Sequence, residues 1–211
     1  MHVYDCRTEA DLRSGVSHAT DALRAGQLVV FPTDTVYGIG AHASDSTAVG
    51  SLLAAKQRGA DKPASVLVAD LTTAEALVQS LPPQARRLAE EFWPGALSLV
   101  LPAAPSLAWN LGNTHGTVMV RMPDNPITLA LLRSAGPIAQ SSANLTGRPP
   151  ATTCAQAVEQ LGETVHAYLD GGPSSGNVPS TIIDLTDADA PVVLREGALP
   201  GTVITDALAR V

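Results

Sequence analysis

The chain has 211 residues, with 13 basic against 20 acidic side chains and a formal net charge of −7. At 45% apolar and 16% charged residues it is too apolar for a disordered chain, and no apolar run approaches the roughly 20 residues of a membrane-spanning helix. The negative charge disfavours a general nucleic-acid coat, which needs many phosphate contacts from lysine and arginine.

Surface scaling for this mass gives about 9,000 Å² exposed when folded, against about 31,000 Å² for the extended chain. That burial is enough for a core without disulfides, and the expectation is one domain over residues 1–211. The opening Met1-His-Val-Tyr-Asp-Cys-Arg7 mixes charge with apolar residues, unlike a signal peptide. Cys6 and Cys154 form neither a ligand spacing nor a disulfide framework. Together these point to a cytoplasmic protein. Only two residues are lysines, Lys56 and Lys62, and they fall within seven positions of each other.

In chain order, Glu9–Ala25 reads as a helix ended by Gly26, and Gln27–Phe31 as a buried strand stopped by Pro32. Ser46 is the expected cap of a helix running to about Arg58, with Val49, Leu52 and Leu53 on one face. Ser65–Ala69 is a strand. Pro82 and Pro83 start a helix with Leu88 and Phe92 on its inner side. Strands follow at Leu97–Leu101 and Thr117–Arg121, then a helix from Ile127 to Gly136 and a strand at Pro137–Gln140. Thr153–Leu161 is a helix, and Val165–Leu169, Thr181–Leu185 and Val192–Arg195 are strands before a short C-terminal helix. The alternation argues an α/β fold with one central, mixed sheet.

Four polar segments adjoin strand ends, where open α/β sheets hold ligands. Pro32-Thr-Asp-Thr-Val-Tyr-Gly38 reads equally as a substrate grip or as a turn in which Asp34 and the threonines bond their own backbone. Lys56-Gln-Arg-Gly-Ala-Asp-Lys62 reads either as cations completing a helix C-terminus or as the wall of a triphosphate site. Gln140 to Thr153 carries hydroxyls and a carboxamide into a glycine-containing loop that opens a helix, a place that favours anions. Ser180-Thr181 and Arg195-Glu196-Gly197 lie beside apolar runs. The histidines have no metal-ligand spacing, and aromatics at 3% supply little stacking surface for single-stranded nucleic acid.

Seven motifs stand in one order: Phe31-Pro-Thr-Asp-Thr-Val-Tyr-Gly-Ile-Gly40, Lys56-x-Arg58 with Lys62-Pro63, Trp93-Pro-Gly95, Val120-Arg-Met-Pro123, Ser142-Ala-Asn144 with Gly147, Pro179-Ser-Thr-Ile-Ile-Asp184 and Leu194-Arg-Glu-Gly197. Over about residues 14–198 this set resembles the YrdC/TsaC threonylcarbamoyl-AMP synthases, in their short single-domain form. The resemblance implies a YrdC/RibB-like twisted sheet flanked by helices, with a concave cationic cavity. It implies a nucleotidyltransferase that joins L-threonine, bicarbonate and ATP into threonylcarbamoyl-AMP and pyrophosphate, for modification of tRNA beside the anticodon.

By matching positions, Thr35, Arg121, Ser142 and Ser180 would hold threonine. Arg58, Lys62, Thr117, Asn144, Thr152 and Arg195 would hold ATP, with Lys56 and Arg58 at the reacting phosphates or carbonate. Mg²⁺ would ride on the ATP phosphates with no side-chain ligands from the protein. The implied partners are a downstream threonylcarbamoyl transferase complex and a transient tRNA contact, with no membrane. Leu67 stands where longer members often carry a threonine-contacting histidine, Gly59 replaces a common proline, and the sequence ends at Val211 without a second domain. The alternatives are carbamoyl-adenylate formation, as in hydrogenase-maturation carbamoyltransferases, and a double-stranded RNA or tRNA-binding module without turnover.

Overall fold

The computed structural model describes residues 1–210. Its exposed surface, 9187 Å², is close to the value that size alone dictates.

The elements in order are β1 (His2–Asp5), α1 (Glu9–Arg24), β2 (Val29–Phe31), β3 (Gly38–His42), α2 (Ser46–Ala55), β4 (Ser65–Leu67), α3 (Leu71–Leu77), α4 (Pro83–Phe92), β5 (Leu97–Pro102), β6 (Thr117–Arg121), α5 (Pro126–Ala135), β7 (Ile138–Ser142), α6 (Cys154–Leu161), β8 (Ala167–Asp170), β9 (Thr181–Asp184), β10 (Val192–Arg195) and α7 (Gly201–Leu208). Helix starts follow side-chain oxygens that accept otherwise unpaired N–H groups. Thr8, Asp70, Asn125 and Thr153 cap α1, α3, α5 and α6 in this way. For α2 the cap is Asp45 rather than Ser46, its carboxylate accepting from the N–H groups of Thr47 and Ala48. The same helix stops at Ala55, short of Arg58, which frees residues 56–62 to form a loop.

Three elements escape the sequence pattern. β1 is short and mostly exposed, α3 is only seven residues long, and β3 is rich in glycine, which strands ordinarily avoid. Gly40 is there for space, since a β-carbon would overlap Ile138 Cγ2 of β7 and stand 2.9 Å from Phe31 of β2.

Among the described residues ten strands join one mixed sheet in the order β1-β8-β2-β3-β7-β4-β6-β5-β9-β10. Its two faces are covered unequally, and that inequality makes the site. On one face α2, α3, α4, α6 and α7 pack against Val30, Ile39, Val66, Leu97, Leu99, Leu101, Val118, Val120 and Ile183. On the other, α1 and α5 cover Val29, Phe31, Leu67, Ile138, Ala167 and Leu169, and no residue of β5, β6, β9 or β10 belongs to that cluster. Strand alternation therefore leaves Ser98, Met119, Arg121 and Ile182 facing a concavity beyond the end of the second helical layer.

Candidate active site

That concavity is a cavity of about 110 Å³ lined by polar groups from six strands or their ends, among them Thr35, Arg58, Arg121, Ser142, Ser180 and Arg195. Six of the eleven side chains assigned above to substrate thus meet in one place.

The loop between β2 and β3 is the turn that its threonines allow, and it also sets a hydroxyl at the cavity. Thr33 Oγ1 accepts from the N–H groups of Thr35 and Val36 at 3.2 Å each and donates to the Val36 carbonyl at 2.6 Å, which closes the turn. With the turn closed, Thr35 Oγ1 is left facing Arg121, whose Nη1 donates to it at 3.1 Å.

Arg121, at the end of β6, is 4% exposed. Its Nη2 pairs with Asp34 Oδ1 at 2.6 Å, and its Nε donates to the Gly95 carbonyl at 2.9 Å. Asp34 Oδ1 also accepts from the Asp124 N–H at 3.0 Å. Burial lowers the Arg121 pKa from its ordinary value, while Asp34 pulls the other way.

Arg58 belongs to the loop after α2. Its Nε donates to the Lys62 carbonyl at 2.6 Å, Nη1 to Ser141 Oγ at 2.9 Å and Nη2 to the Pro63 carbonyl at 3.2 Å. Arg195 Nη2 donates to the Ser180 carbonyl at 2.6 Å, and Ser180 Oγ lies 2.9 Å from Ser98 Oγ. Among the described residues neither Arg58 nor Arg195 forms an ion pair with a carboxylate. Burial lowers both guanidinium pKa values; at Arg58 the charge of Asp61 opposes the shift and that of Arg195 adds to it. Arg58 is half-buried and Arg195 exposed at its strand end, and guanidinium groups outside any ion pair are what an incoming polyanion satisfies.

The other five assigned residues stand elsewhere. Lys56 is 2% exposed, its ammonium donating to the carbonyls of Ser142 and Asn144 beneath the loop that follows β7. Asn144 spends its amide nitrogen on the carbonyls of Leu145 and Arg148 within the same loop. Thr117 donates to the Thr114 carbonyl at 2.7 Å, and Thr152 bonds Gln156 at the start of α6. Lys62 is exposed, outside the lining. The basic residues that line the cavity are thus arginines, and neither lysine is among them.

Sequence reading missed Ser65, Ser98 and Met119 in the lining and gave Gln140 and Ser141 no role. A signal was present: Ser98 interrupts Leu97-Ser-Leu-Val-Leu101, Ser65 opens the apolar run Ser65-Val-Leu-Val-Ala69, and Gln140 follows Ile138 and Ala139 in a strand. A polar residue inside a buried strand needs a partner, a ligand or a cavity.

The Sua5/YciO/YrdC family model, described as "Telomere recombination", matches residues 21–197. A Mycobacterium tuberculosis (strain H37Rv) protein, provisionally named a threonylcarbamoyl-AMP synthase, is 54% identical over 208 residues, covering 99% of this chain and 94% of that protein. The threonylcarbamoyl-AMP synthase of Bacillus subtilis is 41% identical over 186 residues, and the match spans 87% of this chain but only 54% of that longer protein. Among solved structures, Pyrococcus abyssi Sua5 complexed with L-threonine superposes with a TM-score of 0.91 at 38% identity, covering 98% of this chain and 61% of that one.

Proposed function

The chain belongs to the Sua5/YciO/YrdC family, and from that premise we propose that it is an enzyme, an L-threonylcarbamoyladenylate synthase acting for threonylcarbamoyl-adenosine modification of tRNA. The observation that carries this reading is the juxtaposition of Arg121, Thr35 and Ser180 with Arg58 and Arg195 around one cavity. One end suits a small amino acid, and the other suits phosphates.

The reaction asks for two joined steps. The threonine amine adds to the bicarbonate carbon and water leaves, giving a carbamate. A carbamate oxygen then attacks the ATP α-phosphorus as pyrophosphate departs, a nucleotidyl transfer. Both steps bring anions together, so positioning and neutralisation of developing charge dominate. Arg121, already fixed by Asp34 and Gly95, would take the threonine carboxylate. Thr35 and Ser180 would bond its polar groups and discriminate against analogues lacking them. Arg58 and Arg195 would neutralise the phosphates.

Lys56 would act from below, holding the Ser142–Asn144 backbone that borders the nucleotide. Mg²⁺ would ride on the ATP phosphates, whose oxygens are the hard ligands it prefers. Among the described residues no helix is long and apolar enough to cross a membrane.

The test is incubation with ATP, Mg²⁺, bicarbonate and threonine, followed by mass spectrometry of fresh product. Pyrophosphate together with threonylcarbamoyl-AMP is expected. Salt-sensitive tRNA binding with no threonine-dependent adenylate would replace this reading with the RNA-binding one.

A further inference from the structure

The roles above leave unused the middle of the cavity floor. There β7 and β4 place Gln140 opposite Ser65. The parallel pairing of Val66 with Val120 and Leu67 with Arg121 continues the same row to Met119 on β6. One step along β6 from this row is Arg121. One step the opposite way, on the segment leading into β4, is Pro63, whose carbonyl accepts from Arg58. Gln140 and Ser65 therefore lie between the guanidinium assigned to the threonine carboxylate and the one assigned to the phosphates. The threonine nitrogen, the carbonate carbon and the α-phosphorus must be joined in that interval.

The carboxamide is oriented before any ligand arrives. Gln140 Nε2 donates to Ser65 Oγ at 2.7 Å, and the serine hydroxyl turns its proton to the Gln140 carbonyl at 3.4 Å. With its proton so committed, Ser65 Oγ is an acceptor towards the side chain, which sets which end of the amide faces it. Gln140 Oε1 is directed towards Gly38, where a β-carbon would stand 3.1 Å away. Oε1 and the second Nε2 hydrogen make no hydrogen bond to the described protein, and Gln140 lines the cavity.

We infer that Gln140, oriented by Ser65, holds the carbamate formed between threonine and bicarbonate; the assignment rests on the synthase reading above. A carbamate presents an N–H donor beside acceptor oxygens. A carboxamide presents the reverse, an acceptor oxygen beside an N–H, so two hydrogen bonds can form in parallel. Glutamine is also uncharged, so it adds no repulsion to a site that must admit an anion.

Initial rates with bicarbonate, threonine and ATP varied in turn test the assignment. For Gln140→Ala we expect the bicarbonate KM to rise about tenfold while the threonine and ATP values stay within about threefold, the loss of one or two polar contacts to an ionised group. Gln140→Glu keeps the size and places a carboxylate against the anion, so kcat/KM for bicarbonate falls further, about a hundredfold. Ser65→Ala frees the carboxamide and gives a smaller rise in the same parameter, about threefold. Urea unfolding of each variant shows that the fold persists.

An unchanged bicarbonate KM in both Gln140 variants overturns the assignment and leaves the synthase reading standing. An equal rise in all three KM values also overturns it, by placing Gln140 in packing alone. A wild-type protein that makes no threonylcarbamoyl-AMP removes the synthase reading and this assignment with it.

Discussion

Lys56 Nζ donates to the backbone carbonyl of Asn144 at 2.6 Å, joining the end of α2 to the loop after β7 across 88 residues of sequence. The ammonium is buried, and burial together with Arg58 pushes its pKa down to about 8, so it is charged at neutral pH. Lys56→Met would strip the Asn144 carbonyl of this donor and cost about 1–3 kcal/mol, the penalty for a buried polar group left unmade. Equilibrium urea unfolding measures that loss. The ATP KM should rise with it, because the freed loop borders the phosphate end of the cavity. A variant of unchanged stability with lost turnover would instead place the Lys56 ammonium on substrate.

Arg58 differs in kind, because it faces the cavity and, among the described residues, bonds only its own loop and Ser141. Arg58→Ala should reduce turnover about a hundredfold or more, as expected for losing a charge on a transferring phosphoryl group. Cooperative unfolding should survive, with a loss near 1 kcal/mol for the hydrogen bonds. Arg58→Lys should recover little, since a point charge cannot reach Ser141 Oγ and a phosphate together.

Most of the architecture was legible because buried strands and capped helices leave periodic marks. Thr117–Arg121 coincides with β6, and Pro82-Pro83 marks the start of α4. β3 was not legible, because its glycines answer to Phe31 and Ile138 in neighbouring strands rather than to local propensity. The site divides the same way. Arg121, Thr35 and Ser180 stand in motifs, and the cavity includes them. The burial of Lys56 depends on a loop 88 residues away, which no local pattern records. The motifs likewise say nothing of where the α1–α5 layer ends, and that edge decides which strand residues meet solvent.

The Asp34–Arg121 pair carries both stability and substrate geometry. The side chains are 13% and 5% exposed, so removing one charge strands the other in a dry place. Asp34→Ala should cost about 3–5 kcal/mol, read from the urea midpoint, and should weaken threonine binding because Arg121 loses its brace. Arg121→Met in the same chain should restore about half of the stability, since neither charge is then buried alone. Threonine binding should stay lost. Additive destabilisation in the double variant would refute the coupling.

The two cysteines give the alkaline stability a definite sign. Burial raises Cys6 to about 11 and Cys154 to about 12, from an ordinary 9.0. Above pH 9 the unfolded chain loses two thiol protons that the native chain keeps, so stability falls. Lys56 acts oppositely between about 8 and 10.5, where the native chain has released a proton that the unfolded chain still holds. Two against one leaves a net fall of about 1.4 kcal/mol per pH unit between pH 9 and about 10, above which the buried Tyr37 and Tyr168, their pKa values raised by burial, steepen the fall. Cys6→Ala/Cys154→Ala should reverse the slope between pH 9 and 10, leaving the Lys56 contribution alone. Denaturation at closely spaced pH values reads the slope within each protein, independent of any cavity the alanines leave.

Gly197 tests how closely the β10 end is fitted to the threonine side of the cavity. Its N–H donates to Thr181 Oγ1 at 2.9 Å, which draws the chain against Pro179 and Ser180. A β-carbon there would lie 2.6 Å from the Ser180 carbonyl carbon and oxygen, and these are backbone atoms that no rotamer change can clear. Gly197→Ala must therefore push Ser180 and Arg195 apart, breaking the 2.6 Å bond from Arg195 Nη2 to the Ser180 carbonyl. Overpacking of this size costs about 1–3 kcal/mol. Because Ser180 is assigned to threonine and Arg195 to ATP, both KM values should rise by about tenfold. The exposed neighbour Ala198 has no such contact, so Ala198→Ser should leave both values unchanged. A Gly197→Ala enzyme with wild-type KM values for both substrates would show that Ser180 and Arg195 do not hold them.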